Sequence, residues 1–483
     1  MSGRSISSRD LARLLGDWRP GPAPAYVALS GGVRLLVLDG RLPVGVRLPA
    51  ERELAAALGS SRTTIGAAYD ALRSSGHAAS RRGSGTWTTV PDSGADVPAW
   101  APEPAPDGVL DLAHAAPSAP PAVHVAYAAA LDELPRYLPG TGYDYRGLPL
   151  LRARVAERFT ARGLPTSPDQ VLITNGAVQG IRLCLALAAG AGDRVLVEQP
   201  GYPNGLDAVT DLGGRPVPVP VDLDRGWDDV GLAAALRQTA PRAAYLVPDF
   251  QNPSGALMDG EARQRTARML DRHRTVAVID ETLVELALDP HPAVAPFATQ
   301  ARSTPVLTVG SASKIAWGGL RVGWVRADRA SISRLAAQRS RQDIAGPVLE
   351  QLACAHLLAD LEGLRTHRIG ELRTRRALLL GLLAQHLPDW VCPAPPGGQV
   401  LWCTLPAPAS AALVTAAADL GVRITAGSRF AVDGTLQSRL RLPFTPPAEV
   451  LERAVPLLAS AWSRVAESGG SGGSDVAADS WVV

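Results

Sequence analysis

The sequence predicts an α/β protein in two parts: a small, basic helical module closed by a β-hairpin, and behind it a large domain built on a mostly parallel sheet. Three observations predict this. The first 90 residues hold twelve arginines against six acids, a net +6, while the remaining positions carry −4. Inside that basic stretch, short helical runs are followed by a glycine-rich hairpin pattern. From residue 109 onward, short apolar, β-branched runs alternate with helical ones, as expected of strands buried on both faces and joined by helices.

Length and composition set the outer limits. A chain of 483 residues has room for about three domain-sized units. Hydrophobic residues make up 46% and charged residues 19%. No apolar run nears the roughly 18 residues of a membrane span, so a soluble chain with no membrane partner is expected. The first ten residues lack the apolar stretch of a secretory signal, which points to the cytoplasm. Cys184, Cys354, Cys392 and Cys403 are too few and too scattered for a disulfide framework, and no Cys-x-x-Cys pair suggests a metal. No metal site is expected.

Taken in order, residues 5–18 read as a short amphipathic helix broken by Arg19-Pro20-Gly21-Pro22. An apolar-periodic run, Tyr26 to Leu38, leads to a turn. A helix from Glu51 to Leu58 then stops at Gly59, and another opens at Ser60-Ser61-Arg62-Thr63-Thr64 and runs to about Ser75. Residues 77–89, with Gly83-Ser84-Gly85 at the tip, read as a two-stranded hairpin. The order helix, turn, helix, wing has a mechanical use. A serine cap turns the second helix's first residues, Arg62, Thr63 and Thr64, toward a major groove, with Arg47 and Arg52 beside them. Arg81 and Arg82 on the wing would meet phosphates.

On Val46-Arg47-Leu48-Pro49, Arg52-Glu53-Leu54-Ala55, Leu58-Gly59-Ser60-Ser61-Arg62-Thr63-Thr64 and Gly83-Ser84-Gly85-Thr86, the sequence resembles the winged helix-turn-helix of GntR-type regulators. The resemblance implies double-stranded operator DNA as a partner. A winged helix-turn-helix domain is thus expected over 1–90. A proline-rich linker is expected over 91–108, a large domain over 109–465 and a disordered tail over 466–483.

The large domain offers five strand-like runs, at 171–174, 194–198, 243–247, 275–279 and 305–309, and each is followed by a polar cluster. In a parallel sheet, sites gather at strand C-terminal ends. Asn175-Gly176-Ala177 opens a helix whose backbone N–H groups can face an anion. Gln199-Pro200-Gly201-Tyr202 offers an aromatic ring, and Gln251-Asn252-Pro253 a side-chain amide on a sharp turn. The fourth run ends in Asp280-Glu281. The fifth leads to Ser311-Ala312-Ser313-Lys314, with Arg321 seven residues on. Of 48 basic residues only Lys314 is lysine. A permanently charged guanidinium cannot attack a carbonyl to form an imine, whereas an amine can.

Carboxylate, aromatic ring, anion cup and single lysine are the parts that hold pyridoxal 5′-phosphate. On these motifs the domain resembles fold-type I aminotransferases, with a large mostly parallel sheet domain and a smaller α/β domain. The fusion resembles the MocR/GabR family of pyridoxal-phosphate-dependent transcriptional regulators. The resemblance implies a homodimer. It also implies Lys314 as the Schiff-base lysine, Asp280 as partner of the pyridine nitrogen, Asn252 as donor to the ring's phenolic oxygen and Tyr202 as the stacking ring. Gly176, Ala177, Ser311, Ser313 and Arg321 would hold the phosphate, and Arg441 the carboxylate of a substrate or effector, with Arg439 as its competitor. Tyr143 or Tyr145 would reach the partner subunit's phosphate site. One departure stands out. The family places a tyrosine two or three residues after the aspartate, and here those positions are Thr282 and Leu283. The expected function is a ligand-responsive DNA-binding regulator of bacterial metabolism genes, sensing an amino-acid-like effector or pyridoxal phosphate itself, with at most residual transamination. The alternative is a genuine aminotransferase with an accessory DNA-binding module. A third is a regulator that uses the domain only as a dimerisation scaffold.

Overall fold

The computed structural model describes residues 5–470 except 17, 19–23, 39–41, 43–44, 82–84, 90–105, 107, 224–225 and 433. It divides into two compact units. One comprises residues 1–111, 404–440 and 453–483, and the other residues 112–403 and 441–452. This division differs from the sequence boundaries, which put all of 109–465 in one domain. Within the first unit, strand Leu110–Asp111 pairs in parallel with Val422–Arg423.

Four helices, Ser8–Leu15, Ala25–Leu38, Glu51–Leu58 and Arg62–Ser74, precede a hairpin of strands Ala78–Arg81 and Gly85–Thr88. The stops and starts have local causes. Gly59, left-handed at φ 58°, ends the third helix, and the Ser61 hydroxyl caps the fourth by accepting from Thr64 N at 3.0 Å. Leu11, Leu29, Val33, Leu54, Ile65, Tyr69 and Leu72 form one buried core beneath these helices. The wing is a two-stranded hairpin. Its second strand also bonds the segment before the third helix, with Thr88 N donating to Val46 O at 2.9 Å and Leu48 N to Thr86 O at 2.8 Å. Arg82 and the wing tip 82–84, the linker apart from 106 and 108, and the end of the tail from 471 lie outside the described residues, as does the Arg81 side chain. Helix Ala448–Gly470 runs into the segment expected to be a tail.

The second unit is built on an eight-stranded sheet. Its order is Val171–Thr174, Gly323–Arg326, Val306–Ser311, Val276–Asp280, Ala243–Leu246, Arg194–Gln199, Arg215–Asp222, Gly226–Trp227. The five central strands from Val306–Ser311 to Arg215–Asp222 are parallel, and Gly323–Arg326 is antiparallel to both neighbours. Sequence reading missed Arg215–Asp222 because Pro216, Pro218 and Pro220 look like strand breakers. At alternate positions their missing N–H groups all fall on one edge, so the other edge can still pair. One face of the sheet is closed by Leu196, Leu246, Ile279, Leu270, Phe297 and Val306. Each such side chain contributes about 1.5–3 kcal/mol when fully buried. Helix Ala177–Ala188 lies close on the sheet at Gly180, where a Cβ would stand 3.2 Å from Val309 Cγ1. That contact fixes the helix's first turn beside the strand ends.

Candidate cofactor site and DNA-binding face

All five polar clusters sit at C-terminal strand ends of the second unit, as the parallel topology requires. Strand Val276–Asp280 ends on Asp280, which is 3% exposed. Its two oxygens are held separately: the Tyr245 hydroxyl donates to Oδ2 at 2.9 Å and Thr282 N to Oδ1 at 2.9 Å. Thr282, one of the two positions at which the resembled family would place a phenol, thus supplies a backbone donor to Asp280. The half-buried Lys314 follows strand Val306–Ser311 and donates from Nζ to Ala115 O at 2.7 Å. Arg368, fully buried, donates to the carbonyls of Ala316 and Ser118, both at 2.7 Å, and so ties the lysine's turn to the segment that carries Ala115.

Opposite lies an anion cup. Gly176, at φ 82°, precedes helix Ala177–Ala188, and a Cβ on it would stand 2.6 Å from Arg321 Nη2. A Cβ on Gly323 would meet Gly176 C at 2.6 Å and Ala177 N at 2.8 Å. Only glycine at both places lets the guanidinium and the helix start approach this closely. Arg321 donates to Asn175 O at 3.2 Å. The Ser311 hydroxyl donates to Val322 O at 3.1 Å and stands 3.0 Å from the Ser313 hydroxyl. Behind the cup, Asp343 accepts from Asn175 Nδ2 at 2.5 Å and Gln179 Nε2 at 2.6 Å, and is paired with the buried Arg339 at 2.9 Å.

The electrostatics agree with a site for an anion and an amine. Burial, with Arg441 and Arg321 nearby, pushes the Lys314 amine down to about 8, against the pull of Asp280. Burial also raises Asp280 above the ordinary carboxylate range, opposed by Thr282, Tyr245 and Lys314. Tyr202 is pushed up to about 12, first by burial, and its hydroxyl accepts from Asn204 Nδ2 at 2.8 Å. Arg441 is 7% exposed and donates to Ala113 O. In the other unit, Arg439 donates to Thr404 Oγ1 at 2.5 Å. Tyr143 and Tyr145 are exposed.

Sequence reading missed Tyr245, Glu198, Gln251, Thr282 N and Arg368. Glu198, 2% exposed, accepts from Trp227 Nε1 at 2.8 Å, Val247 N at 3.0 Å and Gln251 Nε2 at 3.0 Å. Burial pushes it up to about 8 while these three donors pull the other way. A glutamate ending an apolar strand was the available signal.

On the first unit, Arg62, Thr63, Arg52 and Arg47 are exposed and Thr64 is half-buried. Arg62 Nε lies 3.3 Å from Glu51 Oε2. Arg47 packs over the wing, so that a Cβ on Gly85 would stand 2.8 Å from its Nε. Among the described residues no helix is long and apolar enough to cross a membrane, and no group of three or more His, Cys, Asp or Glu side chains could hold a metal.

The family model for aminotransferase class I and II matches residues 125–458, and that for bacterial regulatory proteins of the gntR family matches residues 26–87. The chain therefore belongs to the aminotransferase class I and II family and carries a gntR-type domain at its front. It is 31% identical to 2-aminoadipate transaminase of Thermus thermophilus, over 64% of this chain and 76% of that one. It is 29% identical to the probable rhizopine catabolism regulatory protein MocR of Rhizobium meliloti, over 77% and 80% of the two chains. Among solved structures it is similar to the α-aminoadipate aminotransferase LysN of Thermus thermophilus, complexed with N-(5′-phosphopyridoxyl)-L-leucine. The TM-score is 0.68 at 28% identity, covering 75% of this chain and 94% of that one. The family implies pyridoxal 5′-phosphate, and the residues present fit it. The glycine cradle at 176 and 323 admits an anion against Arg321.

Proposed function

We propose that this protein is a pyridoxal-phosphate-dependent, ligand-responsive transcriptional regulator. It binds operator DNA through the winged module and an amino-acid-like effector, or the cofactor itself, in the transferase site. The observation that carries the reading is the joining, in one chain, of an exposed Arg62 at a capped recognition helix with a lysine–aspartate–anion-cup site. The regulator MocR, which the chain matches over 77% of its length, bears a name of the same kind. We place the protein in the cytoplasm, acting as a homodimer on paired half-sites.

Pyridoxal phosphate supplies an aldehyde and an electron-withdrawing ring when bound. The chain's own residues do the rest. Arg321, Ser311, Ser313 and the backbone at Gly176 and Ala177 would bind the phosphate. Asp280, its oxygens fixed by Tyr245 and Thr282, would hold a proton at the ring nitrogen. Asn252 and Tyr202 would orient the ring. Lys314, with its amine lowered to about 8, is neutral often enough near pH 7 to act as a nucleophile. Arg441 would bind the effector's carboxylate, and a ligand that favours one domain arrangement shifts its population on DNA.

A second reading, a working aminotransferase, is favoured by the 31% identity to 2-aminoadipate transaminase. The two are separated by measuring turnover with amino-donor and keto-acid pairs beside DNA binding on one preparation. Regulation predicts ligand-dependent DNA affinity and turnover well below the roughly 1–10³ per second of enzymes. Brisk turnover with ligand-independent DNA binding would favour the transaminase.

A further inference from the structure

Within the second unit lies a buried polar hub that no role above uses. Gln251 is 0% exposed, and all four hydrogen-bonding positions of its amide are filled. Nε2 donates to Glu198 Oε2 at 3.0 Å and to the carbonyl of Pro200 at 2.7 Å. Oε1 accepts from Ser254 N at 2.9 Å and from the Ser254 hydroxyl at 2.7 Å. Glu198 Oε1 is in turn occupied by Trp227 Nε1 and Val247 N, which leaves Oε2 for Gln251.

Two loops meet at this amide. The Pro200 carbonyl belongs to the turn that delivers Tyr202, and Ser254 to the turn that delivers Asn252. The first turn has no slack: a Cβ on Gly201 would stand 2.5 Å from Glu198 O and 3.2 Å from Leu206 Cδ2. The second is closed by Gln251 N donating to Ala256 O at 2.8 Å and Gly255 N donating to Gln251 O at 2.6 Å. One planar amide thus sets the spacing between the ring-stacking residue and the ring-donating residue. A buried amide with every position satisfied holds its neighbours more rigidly than the turns could hold themselves.

We infer that Gln251, anchored on Glu198, is a positioning residue that holds the Tyr202 loop and the Asn252 turn in register for the cofactor's pyridine ring. This rests on the proposed cofactor reading. It assigns affinity for the ring to a residue that touches no part of it.

The test uses full-length protein and pyridoxamine 5′-phosphate, whose amine cannot bond covalently to Lys314, so that affinity reports the fit of the ring and phosphate alone. Gln251→Met conserves volume and removes every polar contact. The exchange Glu198→Gln with Gln251→Glu keeps the Trp227, Val247 and Ser254 contacts and reverses the bond between 198 and 251, but removes the donor to Pro200. The expected result is a Kd raised about tenfold or more in both, with the cofactor-free melting temperature of the exchange variant close to wild type. In a Tyr202→Ala background the exchange should add less than twofold, because the loop no longer carries its ring. A Kd for the exchange variant within twofold of wild type would overturn the inference, and so would an undiminished loss in the Tyr202→Ala background. Should Gln251→Met fail to fold, the exchange variant decides alone. Wild-type protein that does not bind pyridoxamine 5′-phosphate would instead refute the cofactor reading itself.

Discussion

Lys314 carries the most chemistry per residue, and its environment makes a pH prediction with a definite sign. Its pKa is lowered from the ordinary 10.5 to about 8, chiefly by burial. The folded protein therefore binds fewer protons than the unfolded chain between those values, and the contribution of this group to stability rises as pH climbs from about 8 toward 10.5. The same shift governs reactivity. Modification of Lys314 by an aldehyde or acylating reagent should rise about tenfold per pH unit below 8 and level off above it, measured by peptide mass spectrometry. A profile still rising steeply at pH 10 would show an unburied amine. As the only lysine, it should also be the only side chain that borohydride labels with a pyridoxyl group, and Lys314→Arg should abolish the label. At the cup, Arg321→Ala removes a charge-assisted donor worth about 1.5–3 kcal/mol, so cofactor affinity should fall about 10- to 100-fold by titration calorimetry.

Elements turn these residues into sites, and here the recognition helix is the sharpest case. The Ser61 hydroxyl caps it through Thr64 N, so Ser61→Ala should cost about 1 kcal/mol of stability, read as a lowered denaturant midpoint. Arg62, exposed at the helix start and lying against Glu51, should enter the groove. Arg62→Ala should therefore reduce discrimination between selected and random DNA rather than affinity for both alike. Equal discrimination by mutant and wild type would remove Arg62 from base recognition. The sequence made these elements legible where one local rule acted alone, as with the serine cap, the glycine stop and the five apolar runs of the sheet. It hid elements whose existence depends on a neighbour. The bonds from Val46 and Leu48 to the wing form only because Thr86 and Thr88 offer partners, and Arg215–Asp222 pairs only because its prolines share one edge. The same limit applies within the site. Lys314 and Asp280 stood out by chemistry, whereas Tyr245 and Gln251 act through contacts 35 and 53 residues distant in sequence.

Across the whole molecule, a small ligand in the transferase site is proposed to alter DNA binding by the front module. The chain joins the two directly. Residues 110–111 belong to one compact unit, and the segment from 112, whose Ala113 and Ala115 carbonyls accept from Arg441 and Lys314, belongs to the other. A coupling of 1–3 kcal/mol, typical of allosteric proteins, would change DNA affinity by about 5- to 150-fold. The most direct measurement is a fluorescence-anisotropy titration of DNA selected by the full-length protein from a random pool. It should be run with and without saturating pyridoxal 5′-phosphate and amino acids, on wild type and Lys314→Arg. Wild type should show at least a fivefold ligand-dependent change in Kd and Lys314→Arg less than twofold, with the salt dependence of non-specific binding the same in both. Ligand bound at Lys314, shown by the pyridoxyl label, with no change in wild-type DNA affinity would contradict this coupling.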